Sequence, residues 1–138
     1  MKLVRDAMTT DVVTVEPYTS LTAVAACMRE ADVGCVLVIS DDALHGLVTD
    51  RDIAVRVIAE GLIAGSITAL EAASGDLVTV TPDTSLCEAS TLMRDHALRR
   101  LPVVDEGRIV GLLSLGDIAS TPHAQEVLIA LNNAPANH

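Results

Sequence analysis

Two short runs carry the residue types that can do chemistry at a spacing that matters. Thr49-Asp50-Arg51-Asp52 and Ser114-Leu115-Gly116-Asp117 each set a hydroxyl and a carboxylate three residues apart. Each follows a glycine-led apolar stretch, Gly46-Leu47-Val48 or Gly111-Leu112-Leu113, so both fall where a strand hands over to a helix. One use for this pattern is a cap, with Thr49 or Ser114 as N-cap and Asp52 or Asp117 favourable in the first helical turn. Another is recognition: a helix start facing a cleft suits an anion, and a carboxylate placed there can accept both hydroxyls of a ribose. Arg51 in the first run, and Arg99-Arg100 just ahead of Leu101–Val104 in the second, add guanidinium groups suited to phosphate. A pair of arginines at a strand entrance also suits a plain solvated edge.

The elements that must position these residues are written twice. VVTVEPYTSL (12–21) aligns with LVTVTPDTSL (77–86), a shift of 77 − 12 = 65. The same shift pairs Met28-Arg29 with Met93-Arg94, Gly46-Leu47 with Gly111-Leu112, and Asp52-Ile53-Ala54 with Asp117-Ile118-Ala119, without a gap. The chain is therefore an internal duplication, with Gly61–Ser66 as the connector. In each copy a short strand, Val12–Val15 or Leu77–Val80, ends at Pro17 or Pro82. Ser20 and Ser85 are N-cap candidates for the next helix. The first of these helices turns Leu21, Val24, Ala25 and Met28 inward, and Gly34 is placed to supply a left-handed stop. Two strands around a short turn follow, Val36–Ile39 and Leu44–Val48 about Asp41-Asp42, and Leu101–Val104 and Ile109–Leu113 about Glu106-Gly107. So short a connection predicts antiparallel hairpins. A second helix begins near Asp50–Asp52 and near Gly116-Asp117, with Ile53, Val57 and Ile58 as the apolar stripe of the first. The unit is β-α-β-β-α and too small to bury both faces of its sheet alone, which predicts two copies packed sheet to sheet.

Composition narrows the function. With 9 Lys plus Arg against 19 Asp plus Glu, the net charge of −10 opposes a polyanion, and 1% aromatic residues leave no stacking platform, so nucleic acid is a poor partner. Against that background the arginines of the two runs would attract an anion locally. Half the residues are hydrophobic, which argues against disorder. The N-terminus lacks an apolar stretch of signal-peptide length and Arg56 interrupts Ile53–Ile58, so the sequence reads as soluble, cytoplasmic and without a membrane association. Three cysteines without a CxxC argue against disulfides, and Cys27, Cys35 and Cys87 are expected as buried thiols.

The repeated pattern of hydrophobic-x-Thr-Val-x-Pro, a Ser-Leu helix start and Gly-x-x-(Thr/Ser)-x-x-Asp resembles a tandem pair of cystathionine-β-synthase (CBS) domains, the Bateman module, in its short stand-alone bacterial form. The resemblance runs from about Val4 to Ala119. It implies an α/β (α+β) fold of two β-α-β-β-α repeats related by a pseudo-two-fold axis. The domains are then 4–61 and 67–121, with a helix and tail over 122–138. It also implies a regulatory, non-catalytic module that binds an adenine nucleotide (AMP, ADP or ATP, with S-adenosylmethionine or NAD as lesser candidates) in clefts between the repeats. By the same resemblance Asp52 and Asp117 match the ribose-binding carboxylate, and Thr49 and Ser114 the adjoining hydroxyl. Backbone at Val12, Val13, Val36, Leu77, Val78 and Leu101 matches the adenine-facing strands, and Arg51, Arg99 and Arg100 are phosphate partners. The family pairs modules into a disc-like homodimer, for which Met28, Val57, Leu92 and Leu128 offer apolar surface or ordinary core. A module without an effector domain is expected to act on another protein or only to hold ligand.

The copies differ where it matters. Gly116 stands opposite Arg51, Gly34-Cys35 opposite Arg99-Arg100, and Leu37 opposite Pro102. Unequal clefts are expected. Two further readings stay open: a ligand-free scaffolding dimer that modulates a partner, with the hydroxyl–carboxylate pairs acting as caps alone, and a metal site drawn from Cys27, Cys35, Cys87, His45, His96 and His123. No arrangement of Ser/His/Asp or Cys/His points to catalysis.

Overall fold

The structure is a computed structural model and describes residues 2–74 and 77–121. The helix and tail expected over 122–138, with Leu128 and His123, lie outside those residues.

Serine caps open the long helix of each repeat. Ser20 Oγ accepts from the Ala23 amide at 3.2 Å ahead of α1 (Leu21–Ala31), and Ser85 Oγ accepts from the Glu88 amide at 3.0 Å ahead of α4 (Leu86–Asp95). α1 buries Leu21, Val24 and Met28, while Ala25, expected beside them, is exposed. A methyl at the margin of the stripe reaches less far than the longer side chains around it. The left-handed stop is Asp32 (φ 55°, ψ 50°), not Gly34, and its amide donates to Met28 O. Asp tolerates this conformation because its short polar side chain can bond locally.

Both hairpins form. β2 (Cys35–Ser40) pairs antiparallel with β3 (Ala43–Thr49), and β4 (Arg100–Asp105) with β5 (Arg108–Ser114). Each turn has two residues at positive φ, Asp41 and Asp42 at 52° and 63°, Glu106 and Gly107 at 50° and 79°, the geometry that matches strand twist. A register shift falls at Val38/Ile39 and again at Val103/Val104, the same place in both copies.

The leading strands are unequal, and shorter than their β-branched runs predict. β1 (Thr14–Val15) lies parallel to β2, helped by a bond from Leu37 N to Val13 O at 2.9 Å. The second copy keeps only a bridge between Val80 and Val103. Pro102 stands at the position of Leu37 and has no N–H to donate, so the equivalent bond to Val78 O cannot form. One sheet thus has three strands and the other two.

The chain forms two compact units: Val12–Leu77, and Met1–Asp11 with Val78 onward. Each unit completes itself with the segment that precedes the other repeat in sequence. In the second unit Val4 N donates to Thr84 O at 2.8 Å and Thr9 N to Leu112 O at 2.9 Å. In the first, at positions 65 residues away, Ala69 N donates to Thr19 O at 2.8 Å and Ser74 N to Leu47 O at 3.0 Å. α3 (Ala69–Ala72) belongs to this second exchange. Val4 is fully buried in the second core with Leu86, Met93, Leu101, Leu113 and Ile118. Ala69 occupies the same place in the first, with Leu21, Val24, Val36 and Val48.

After β3, α2 (Asp50–Ile53) runs into a π-helical turn over Ala54–Ile58. Bonds from Ala59 N to Ala54 O at 2.9 Å and from Leu62 N to Val57 O at 3.0 Å span five residues, which rotates the following positions around the axis. Val57 therefore stays buried while Ile58, expected inward, is 70% exposed. The second copy has the plain helix α5 (Leu115–Ala119). Met28 and Val57 are core residues and Leu92 packs against the other core. Cys35 is buried and Cys27 half-buried, but Cys87, expected inside, is exposed.

Candidate functional site

In the second unit the β4–β5 hairpin brings the arginines to the start of α5. Arg100 pairs with Ser114 across the ladder, and Leu115 N donates to Arg99 O at 2.9 Å. The result is a cavity of about 410 Å³ lined by Arg99, Arg100, Ser114, Leu115, Gly116 and Ala119. That size is within the range of small-molecule sites. Neither guanidinium is in an ion pair among the described residues. Two positive charges without an acidic partner among the described residues give this concave surface a locally positive character, in a chain of net charge −10.

Asp117 does not line this cavity but is bonded to a residue that does. Its Oδ2 accepts from Ser114 N at 2.9 Å, and Ser114 Oγ accepts from Asp117 N at 3.1 Å, a reciprocal capping box. Its Oδ1 accepts from Thr9 Oγ1 at 3.3 Å. The carboxylate is therefore fixed by one oxygen and has capacity left on the other. Leu101 is fully buried, so only its backbone is available to a ligand, and Leu77 and Val78 are half-buried.

The first unit repeats the capping box with nearly the same dimensions: Asp52 Oδ2 accepts from Thr49 N at 2.9 Å, and Thr49 Oγ1 accepts from Asp52 N at 3.1 Å. Around it the chemistry is different. Asp52 Oδ1 faces Arg56 Nε at 3.8 Å, and the same guanidinium donates to Ala72 O at 3.2 Å. Asp50 Oδ1 accepts from Arg51 N at 2.8 Å, and its Oδ2 stands where a Cβ on Gly34 would come within 3.0 Å. Arg51 is exposed, Val12 and Val13 are half-buried, and Val36 is fully buried with its backbone in the β2–β3 ladder. An i,i+4 pair of this exposure contributes only about 0.3–0.5 kcal/mol. The consequence of Arg56 thus lies in what Asp52 can accept, not in stability.

The caps form in both copies, and each leaves the carboxylate's second oxygen outside the box. The sequence reading missed Thr9, Asp50 and Arg56. The shift of 65 carries a usable signal for Arg56, because Thr121 stands opposite it; nothing local signals Thr9, which arrives from 108 residues away. Among the described residues no group of three or more His, Cys, Asp or Glu is placed to hold a metal ion.

Two short sheets flanked by helices, each with a capped Asp after its last strand, define a CBS pair. Residues 4–59 and 65–123 each match the CBS domain, and the chain belongs to that family, a regulatory and typically non-catalytic one. It is 41% identical over 126 residues to the CBS domain-containing protein YhcV of Bacillus subtilis, covering 91% of this chain and 89% of that one. It is 40% identical over 120 residues to Hypoxic response protein 1 of Mycobacterium tuberculosis, covering 86% and 84%. A crystal structure of Hypoxic Response Protein I with two coordinated zinc ions superimposes with a TM-score of 0.76 at 40% identity, over 86% of this chain and 98% of that one. No helix among the described residues is long and apolar enough to cross a membrane.

Proposed function

We propose that the chain is a cytoplasmic sensor of adenine nucleotides of the AMP, ADP or ATP class, acting on a protein partner. CBS domains commonly bind adenine nucleotides. The observation that carries the reading here is the cavity of about 410 Å³ whose Arg99 and Arg100 lack an acidic partner among the described residues, beside the capped carboxylate of Asp117. The guanidiniums suit phosphate and the spare oxygen of Asp117 suits a ribose hydroxyl. They favour a phosphorylated ligand over an uncharged nucleoside, and AMP, ADP or ATP over S-adenosylmethionine; NAD, with two phosphates, is the lesser candidate on size.

The test is calorimetry and thermal shift of the full chain against AMP, ADP, ATP, NAD and S-adenosylmethionine, repeated on Asp52→Ala/Asp117→Ala. Micromolar binding, about −8 kcal/mol, lost in the variant while the fold survives, supports the sensor. No heat and no thermal stabilisation by any of the five leaves a scaffold whose pairs are caps alone.

A homodimer belongs to the same proposal. Its support is an apolar surface on the first unit, where Val55, Ile58, Leu62 and Ile63 are 47%, 70%, 51% and 73% exposed. Ile58→Asp/Ile63→Asp is expected to give a monomer in sedimentation equilibrium; an unchanged mass places the contact elsewhere.

A further inference from the structure

The two units carry the same scaffold with different occupants, and three of the differences point the same way. The first is charge. The lining positions Arg99, Arg100, Leu115 and Gly116 correspond, at a shift of 65, to Gly34, Cys35, Asp50 and Arg51. On one side stand two guanidiniums and no carboxylate. On the other, Asp50 is held by Arg51 N and lies over Gly34, so its charge sits where phosphate would have to approach and offsets that of Arg51.

The second is the capped carboxylate. Among the described residues Asp117 Oδ1 meets only a neutral hydroxyl, that of Thr9 at 3.3 Å, whereas Asp52 Oδ1 faces the Arg56 guanidinium, itself tied to Ala72 O. Thr121, at the position of Arg56, instead donates to Ile118 O at 2.7 Å and leaves Asp117 alone. The third is the backbone. Val13 O accepts from Leu37 N, while Pro102 gives Val78 O no such donor, so Val78 O is without a hydrogen bond among the described residues.

We infer that the second unit alone takes the phosphorylated adenosine compound, and that Asp50, Arg56 and the Leu37–Val13 bond close the equivalent place in the first. This rests on the nucleotide reading above and assigns it to one place. Arg56 acts as a specificity residue through Asp52, without itself needing to touch a ligand. The first unit is left as a partner of the second that has kept the fold and given up the ligand.

Calorimetry of the full chain with AMP, ADP and ATP tests this. The expected stoichiometry is one per chain. Asp117→Ala weakens binding at least tenfold, and Asp52→Ala changes it less than twofold. Asp50→Leu/Arg56→Thr, which installs the second unit's residues in the first, raises the stoichiometry toward two. Pro102→Leu, which restores the missing donor, weakens binding several-fold without loss of the fold. Two sites in the parent chain, or loss of binding in Asp52→Ala but not in Asp117→Ala, overturns the assignment while leaving the nucleotide reading intact. No binding to the parent chain overturns both. Should Asp50→Leu/Arg56→Thr fail to fold, Arg56→Gln alone gives the second arm: a weak second site supports the inference, and a stoichiometry fixed at one counts against Arg56.

Discussion

The unit built on Val12–Leu77 and the unit built on Val78 onward solve the same folding problem with the same bonds, then diverge at the surface. Both have a serine-capped helix, a two-residue turn at positive φ, a register shift in the same place and a capping box after the last strand. Their exposed chemistry is another matter. The second unit carries the arginine-lined cavity, and an ion pair joins Arg5 of its exchanged segment to Asp83. At those two positions the first unit has Leu70 and Tyr18, 42% and 83% exposed, and the large exposed hydrophobics of the described residues all lie in it. Duplication kept the interior constraint and released the exterior. What is shared between the copies reports on folding, and what differs reports on function.

Paired substitutions at equivalent positions test how far the two units match. The largest effects belong to the cores. Leu21 and Leu86 occupy equivalent places, at 0% and 3% exposure, so Leu21→Ala and Leu86→Ala should each cost about 2–5 kcal/mol in urea unfolding. Clearly unequal costs would mean that the cores are not equivalent.

Next come the glycines under the exchanged segments. A Cβ on Gly46 would meet Ser74 O at 2.7 Å and Ala73 Cβ at 2.8 Å; on Gly111 it would meet Met8 Sδ and Thr9 O, both at 2.9 Å. Gly46→Ala and Gly111→Ala should each cost about 1–3 kcal/mol. Gly111→Ala should be the milder of the two, because a methionine side chain can move. Amide exchange should rise over residues 3–9 in Gly111→Ala and over 67–74 in Gly46→Ala. Exchange that rises elsewhere would contradict the reciprocal docking of these segments.

Smaller still are the caps. Ser20→Ala and Ser85→Ala should lower stability by about 1 kcal/mol each and by similar amounts, read from thermal melts. The smallest effect is expected at the turn. Asp42 holds φ 63° where the second unit has Gly107 at 79°, so Asp42→Gly should stabilise by a few tenths of a kcal/mol. A loss of stability there would show that the Asp42 side chain holds the turn.

How much of this was legible in the sequence depends on distance along the chain. The hairpins, the serine caps and the Thr49/Asp52 and Ser114/Asp117 boxes are each decided within about four residues, and the pattern shows them. The pattern offers Gly34 as the helix stop, but Asp32 takes that conformation two residues earlier, a choice between two permissive residues that pattern alone does not make. Leu77–Val80 read as a strand because its β-branched residues match those of Val12–Val15. Pro102, a strand away, removed the donor that would have extended it. Ile58 read as core until a π-helical turn rotated it outward. For the site, Arg99, Arg100 and Ser114 were visible as types and do line one cavity. Thr9 was not, and Asp50 and Arg56 were visible as residues but not in their roles, because those depend on contacts made only once the chain has folded.

A nucleotide in the second unit alone leaves a residue-by-residue signature. The most direct measurement is an amide NMR titration of the 15N-labelled full chain with AMP, ADP and ATP in turn. Saturable shifts are expected at Val78, Arg99–Leu101 and Ser114–Ala119, with Gly34–Val36 and Thr49–Ala54 unmoved. Shifts confined to Gly34–Val36 and Thr49–Ala54, or equal in both sets, would contradict it.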